Sequence, residues 1–318
     1  MPAPGGQQGK STPAGGQQAP SPGTPTSATV KQAISAATER LRASGSPSPR
    51  LDAEILLGEV LGLRRETLYA NGELPLDPAD QARFEGFVRR REAHEPVAYI
   101  CGRKAFRTIE LQVDRNTLIP RPETETLVEV ALERLVHLAK AGADRPRVLD
   151  VGTGSGAVAL ALATEHPTAS VVATELDDRA LETARLNAMR LGLSERVEFV
   201  LGDLYEGLPG GARFDVIVSN PPYVTTAELA GLEPAVRDYE PHRALLAGES
   251  GLDFYERIVP VAPTYLVPGG LLAVEIAAER ALEVQNLFAA TGRFDGIVVV
   301  NDLGGTPRVV AGYEKPAR

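Results

Sequence analysis

The sequence predicts an α/β protein in which a seven-stranded, mostly parallel sheet follows a small N-terminal helical domain. Strand-like and helix-like patterns alternate from residue 147 onward, which indicates a parallel sheet with helices on both faces. The last two strand patterns are separated only by residues 302–307. That connection is too short for a helical crossover, so the last strand should be antiparallel. Residues 29–95, by contrast, carry helical periodicity only.

Composition limits the kinds of function that the chain can have. At 318 residues and 43% hydrophobic content, it is long and apolar enough for two domain cores. A net charge of -9 argues against a wide nucleic-acid surface, because phosphate contacts need clustered Lys and Arg. The single Cys101 excludes an intramolecular disulfide, and the histidines show no metal-ligand spacing, so no metal is expected. Lacking an apolar stretch of membrane or signal-peptide type, the chain is expected to be cytoplasmic and free of membrane contact.

Four segments are predicted along the chain. Residues 1–28 consist largely of Pro, Gly, Ser, Thr and Gln and should form a disordered tail. Residues 29–95 form the helical domain, in which Asp77 supplies an N-cap. Residues 96–118 contain β-like pieces and are predicted as a hairpin linker with strands at residues 97–100 and 109–113. Residues 119–318 form the sheet domain, which opens with a helix entry.

Seven strands and four further helices are predicted in the sheet domain. The strands are residues 147–151, 170–175, 197–201, 214–219, 270–276, 296–301 and 308–313. The helices are residues 157–164, 179–191, 252–266 and 279–290.

A glycine-rich turn directly follows the first predicted strand. It consists of Gly152, Thr153, Gly154, Ser155 and Gly156. Glycine lets the backbone approach a ligand closely and expose N–H groups at a helix start. Glu175 closes the next strand, about 20 residues on, where an acid can accept both hydroxyls of a ribose. This stretch alone fits S-adenosylmethionine and NAD about equally, and a turn that serves only tight packing is a third reading.

Asp203 and Leu204 end the third predicted strand, which is where an adenine would reach in such a sheet. The Asp203 carboxylate is a candidate acceptor for the exocyclic amine, with Leu204 packing against the ring. An ordinary strand-ending Asp explains the same residue equally well.

The fourth predicted strand ends in a stiff corner of one amide, two prolines and one aromatic ring. Its residues are Asn220, Pro221, Pro222 and Tyr223. Two prolines in series continue neither a strand nor a helix, so the turn holds its side chains rigidly. The Asn220 side-chain oxygen and the Pro221 carbonyl are each able to accept one N–H of a planar nitrogen, while Tyr223 packs against the flat group. A hydride-transferring enzyme has no use for this corner, whereas an amino-group methyltransferase does. A proline-stiffened loop without chemistry is the alternative.

These features together resemble the release-factor glutamine methyltransferases. The resemblance covers nearly everything after the tail, and Cys101 and the spacing before Gly251 are small departures from it. The matching stretches are Tyr99-Ile100-x-Gly102 with Phe106, residues 118–125, the turn of residues 152–156, residues 220–223, and Glu240-Pro241 followed by Ala244-Leu245.

The resemblance implies a class I methyltransferase fold and methyl transfer from S-adenosylmethionine to the glutamine N5 of the Gly-Gly-Gln motif in peptide-chain release factors. It also implies site roles. The glycine turn and Glu175 would hold the methionine and ribose, Asp203 or Leu204 would border the adenine, and the helical domain would bind the release factor. Asn220 and Pro221 would grip the glutamine amide, and Tyr223 would line its pocket.

Two other functions remain open at this stage. A nucleic-acid amino-methyltransferase fits the same corner, although the acidic composition disfavours it. A ribosome-associated binding module would keep the cofactor fold without turnover. The tail itself contains two Gly-Gly-Gln tripeptides, ending at Gln7 and Gln17, which allow automethylation but are more simply a coincidence of composition.

Overall fold

The computed structural model describes residues 28–316. The predicted tail, with Gln7 and Gln17, lies outside the described residues except for Ala28. Within residues 28–316, no helix is both long enough and apolar enough to span a membrane.

The N-terminal part of the described chain is helical. Thr29 begins the first helix with a capping box, and the Asp77 side chain accepts from the Ala79 N–H at the start of the fourth. The helices bury a core of their own that includes Leu41, Leu56, Leu57, Phe84 and Val88. The helices are α1 (Val30–Ala43), α2 (Pro49–Leu61), α3 (Arg65–Ala70), α4 (Pro78–Glu92) and α5 (Val97–Cys101).

The prediction of a strand at residues 97–100 is wrong, because these residues lie in α5. Gly102 ends this helix in the left-handed conformation, with φ 71°. The hairpin comes next, with β1 (Arg103–Phe106) pairing antiparallel to β2 (Ile109–Gln112). Ile100 packs into the helical core, and this tertiary contact overrides the β-propensity of the short segment.

One seven-stranded sheet organises the rest of the chain, in the order β5-β4-β3-β6-β7-β9-β8. Neighbouring strands from β3 to β7 pair in parallel, whereas β9 is antiparallel to both β7 and β8. The predicted sheet, with its last strand reversed, is therefore confirmed. The strands are β3 (Arg147–Val151), β4 (Ser170–Glu175), β5 (Val197–Leu201), β6 (Phe214–Ser219), β7 (Leu266–Glu275), β8 (Phe294–Asn301) and β9 (Pro307–Glu314).

Helices cover both faces of this sheet. One core contains side chains of α6, α7 and α8 with the hairpin, and the other contains side chains of α11 and α12. The helices are α6 (Glu125–Lys140), α7 (Ala157–Glu165), α8 (Asp178–Arg190), α9 (Thr226–Leu229), α10 (Pro234–Arg237), α11 (Asp253–Val261) and α12 (Ala281–Ala290). Because β3 to β7 are parallel, their carboxyl ends meet at one edge, where open α/β sheets bind ligands.

Candidate active site

A cavity lies at the carboxyl edge of the sheet and contains almost all the residues that the sequence singled out. Only Gly156 and Tyr223 of the predicted set are absent from its wall. The predicted residues that line the cavity are Gly152, Thr153, Gly154, Ser155, Glu175, Asp203, Leu204, Asn220, Pro221 and Pro222. The fold thus brings together residues from the ends of four strands.

The glycines of the turn after β3 serve two different purposes. All three have positive φ, at 76°, 57° and 85° for Gly152, Gly154 and Gly156. A Cβ on Gly156 would meet Leu160 Cδ1 at 2.9 Å, so this glycine permits close packing with α7. A Cβ on Gly152 or Gly154 would meet nothing within 4 Å, although both residues line the cavity. These two glycines therefore leave space for a ligand.

The backbone N–H groups of this turn differ from the prediction that they are exposed. Those of Gly152 and Thr153 both donate to the Thr174 carbonyl at 2.9 Å, and that of Gly154 donates to Glu175 Oε2 at 2.9 Å. These bonds tie the turn to β4. The turn is consequently a pre-organised surface, and these three amides are already used in holding its shape.

Asp150 is a buried site residue that the sequence analysis missed. Its Oδ2 accepts from the Thr153 hydroxyl at 2.6 Å and from the Ala159 N–H at 3.1 Å, which joins the turn to the first residues of α7. Burial raises the pKa of Asp150 to about 6. An acid placed just before a glycine turn was the available signal for this role.

Glu175 is held in a fixed orientation at the end of β4. Besides its bond to Gly154, its Oε1 accepts from the Asp177 N–H at 2.9 Å. Burial raises the pKa of Glu175, and the Gly154 N–H partly opposes that rise. Arg243, another cavity residue that the sequence did not single out, forms an ion pair with Asp177 next to this carboxylate.

Asp203 and Leu204 lie on the cavity wall after β5. One Asp203 oxygen accepts from Arg257 Nη2 at 2.6 Å. Only the remaining acceptor positions of this carboxylate are therefore available to a ligand. Leu204 takes a left-handed backbone conformation, with φ 54°, which is uncommon for a non-glycine residue. The backbone is thus bent at the position that was predicted to border an adenine.

The corner after β6 has a defined amide orientation. Asn220 Nδ2 donates to Thr124 Oγ1 at 3.1 Å. Since the nitrogen faces Thr124, the carbonyl oxygen Oδ1 is available to the cavity, whose wall includes both residues. Tyr223 instead packs against the core under α11 and α12, and burial raises its pKa to about 12.

The segment before α6 forms the opposite wall of the cavity. Glu240 anchors it, accepting from the Ile119 N–H at 3.2 Å and from Arg121 Nη2 at 2.5 Å. Pro120 and Thr124 face the cavity as a result. The role of Thr124 is not evident from the sequence, since its partner Asn220 lies 96 residues away along the chain.

Comparison with known proteins agrees with this architecture. Residues 32–102 match the family model described as the PrmC N-terminal domain, and residues 129–232 match that of the methyltransferase small domain. In solved structures, the hMettl16 catalytic domain in complex with MAT2A 3'UTR hairpin 6 has a TM-score of 0.52 at 15% identity, covering 75% of this chain and 82% of that chain. At that identity the likeness concerns the fold alone.

Curated relatives share much more of the sequence. The release factor glutamine methyltransferase of Geobacter sulfurreducens is 44% identical over 284 residues, which is 89% of this chain and 96% of the relative. That of Moorella thermoacetica is 41% identical over 287 residues, or 90% and 99% of the two chains. The protein is therefore a methyltransferase, and the chain belongs to the release factor glutamine methyltransferase family.

Proposed function

We propose that this enzyme transfers a methyl group from S-adenosylmethionine to the side-chain nitrogen N5 of the glutamine in the Gly-Gly-Gln motif of peptide-chain release factors, and so supports translation termination. The observation that carries the proposal is the Asn220 corner, whose amide oxygen is available to a cavity that also contains the glycine turn. The names of the relatives support the same substrate.

The cavity residues fit S-adenosylmethionine. Gly152 and Gly154 leave open the space that a Cβ would fill, and the methionine part of the cofactor would pass there. Each oxygen of Glu175 accepts one backbone N–H, which leaves acceptor capacity for the ribose hydroxyls. Asp203 and Leu204 would border the adenine. When bound, the sulfonium cofactor supplies an electrophilic methyl group.

The protein's own task is to orient the glutamine amide. Asn220 Oδ1 and the Pro221 carbonyl would each accept one N–H, which holds the plane of the amide and increases electron density on its nitrogen. Tyr223 supports the corner from behind, because its ring packs into the core. The nitrogen gains the methyl group and releases one proton to solvent, so the reaction needs alignment more than a strong base.

The release factor would bind to the helical domain, which we propose spans residues 29–95. Residues 96–118 would join it to the methyltransferase domain of residues 119–318. The match of residues 32–102 to the model of the PrmC N-terminal domain supports this assignment, since the helical domain lies outside the match to the methyltransferase small domain.

The test is a methylation assay with purified release factor and methyl-labelled S-adenosylmethionine, followed by peptide mapping. Label is expected on the motif glutamine only. A release factor with that glutamine replaced by alanine is the matched control and should stay unlabelled. DNA and RNA are tested in parallel, and label on a nucleic acid instead of the release factor would overturn the proposal.

A further inference from the structure

A buried carboxyl that the proposed chemistry does not use lies next to the Asn220 corner. Glu275 is the last residue of β7. The residue before it, Val274, pairs with Ser219 of β6, so Glu275 and Asn220 come directly after a pair of neighbouring residues on adjacent strands. Glu275 is 1% exposed. Its Oε2 has no hydrogen-bond partner within residues 28–316. A buried acid in this state calls for an explanation.

Thr124 connects this carboxyl to Asn220. The Thr124 side chain is buried, and its Oγ1 accepts from Asn220 Nδ2. Thr124 also lies beside Glu275, and its hydroxyl lowers the pKa of that carboxyl. A hydroxyl has one hydrogen and two lone pairs. When the hydrogen points to an ionised Glu275, only lone pairs remain for Asn220, and a lone pair accepts from the Nδ2 side of the amide.

The other groups around Glu275 do not neutralise it. Arg308 and Arg121 lower its pKa, Glu123 raises it, and no ion pair forms among these residues and Glu275. Tyr223 and Tyr255 lie close by, and the Tyr255 hydroxyl donates to the backbone carbonyl of Glu275 at 2.8 Å, not to its carboxyl. Burial dominates and raises the pKa of Glu275 to about 7.

An acid in such a place works against stability. Burying a carboxyl without a partner is costly, and a neutral side chain of similar shape would fit the same space at lower cost. A structural purpose therefore does not account for Glu275, whereas control of the neighbouring Thr124 hydroxyl does.

We propose that Glu275 is a positioning residue that acts through Thr124: it accepts the Thr124 hydroxyl hydrogen, which makes Thr124 an acceptor for Asn220 Nδ2 and keeps Asn220 Oδ1 turned toward the substrate amide. This inference rests on the proposed function. A flipped Asn220 would present its own N–H groups to those of the glutamine, and donor would face donor.

Proton uptake by Glu275 would release this constraint. The protonated carboxyl becomes a donor, so Thr124 is then free to direct its hydrogen at Asn220 and stabilise the flipped amide. Turnover should accordingly fall as the pH drops through the range near 7. A Glu275→Gln enzyme cannot change charge and should lack that step.

The experiment measures kcat on purified release factor at saturating S-adenosylmethionine, with cofactor Kd and Tm for each variant. Thr124→Val should lose about 10- to 100-fold in kcat, the scale of a misplaced catalytic contact, with little change in cofactor Kd. Thr124→Ser keeps the hydroxyl and should therefore have a kcat close to that of wild type. Thr124→Val combined with Asn220→Ala should be no slower than Asn220→Ala alone, because both changes remove the same contact.

The outcomes separate this inference from the proposed function. If wild-type enzyme leaves the release-factor glutamine unmodified, the proposed function fails. If wild type is active but Thr124→Val keeps full kcat, if the double variant loses the product of both single effects, or if Glu275→Gln keeps the step near pH 7, the positioning inference fails. Thr124→Val and Glu275→Gln preserve side-chain shape, and Tm values near that of wild type would show that folding is intact.

Discussion

The two halves of the active-site cavity, one proposed for the cofactor and one for the substrate, are built in different ways. In the cofactor half, Asp150 contacts Thr153 three residues away, and Glu175 contacts Gly154 across 21 residues. In the substrate half, Asn220 contacts Thr124 across 96 residues. The glycine turn of the first half is thus held by a continuous strand-turn-helix unit and the next strand, whereas the Asn220 corner of the other is oriented only when distant segments pack together. Each half should therefore be separable from the other by mutation.

The largest effect is expected when the substrate half is broken at its centre. Asn220→Ala removes one acceptor proposed for the glutamine amide, and kcat should fall by about 100- to 1000-fold, as when an oxyanion-hole donor is deleted. Cofactor Kd, measured by calorimetry, should stay near the wild-type value because the glycine turn is untouched. An equal loss of cofactor affinity would show that the two halves are not separable.

Removing the central acid of the cofactor half should have the opposite pattern. Glu175→Ala deletes the acceptor proposed for the ribose, and cofactor Kd should rise by about 10- to 100-fold, the range for hydrogen bonds to a charged group. At saturating cofactor, kcat should stay within a few fold of wild type. Glu175→Gln, which keeps one acceptor oxygen, is the matched control, and its cofactor Kd should lie between those of wild type and Glu175→Ala. Unchanged affinity in Glu175→Ala would reject the ribose assignment.

The pH dependence of the unfolding free energy should reveal the buried Glu275 of the substrate half. The pKa of Glu275 is about 7 in the fold against an ordinary value of 4.5. The folded state therefore binds more protons between these values, and stability is lost as pH rises through them, by about 3 kcal/mol at most. Glu275→Gln should remove this loss, so its stability relative to wild type should be higher at pH 8 than at pH 5. Denaturant unfolding of both proteins at pH 5 and pH 8 measures this difference in stability. A difference that is the same at both pH values would contradict the burial of a titrating acid.

The smallest effects should come from single methyl groups within the glycine turn. Gly156→Ala places a Cβ 2.9 Å from Leu160 Cδ1 at φ 85°, and should destabilise the fold by about 1–3 kcal/mol. Gly154→Ala points its methyl into open space, so only the backbone strain at φ 57° should lower stability, by less than in Gly156→Ala, and cofactor affinity should fall. Thermal unfolding and cofactor titration of the pair measure the contrast. Equal stability losses with unchanged affinity in both variants would mean that the turn does not border the cofactor.

Regular patterns made most of the fold predictable. The first four strands of the sheet have the bounds that the sequence predicted, because short apolar runs between turn residues leave little choice. The strand prediction at residues 97–100 is wrong because four residues carry too little periodicity to separate a helix from a strand. Packing of Ile100 against the helical core decided between them.

The sequence by itself determined the sheet, its reversed last strand, the glycine turn and the stiff corner at Asn220, because strand periodicity and the stereochemistry of Gly and Pro act over a few residues. Only the tertiary structure decided that Thr124 faces Asn220 and that the buried Glu275 carboxyl, whose Oε2 has no partner among residues 28–316, lies beside them. Those contacts depend on strand order and on how the segment before α6 packs across the sheet edge. The physical reason is range: backbone preferences are local, whereas the orientation of a side-chain amide depends on groups that are distant in the chain.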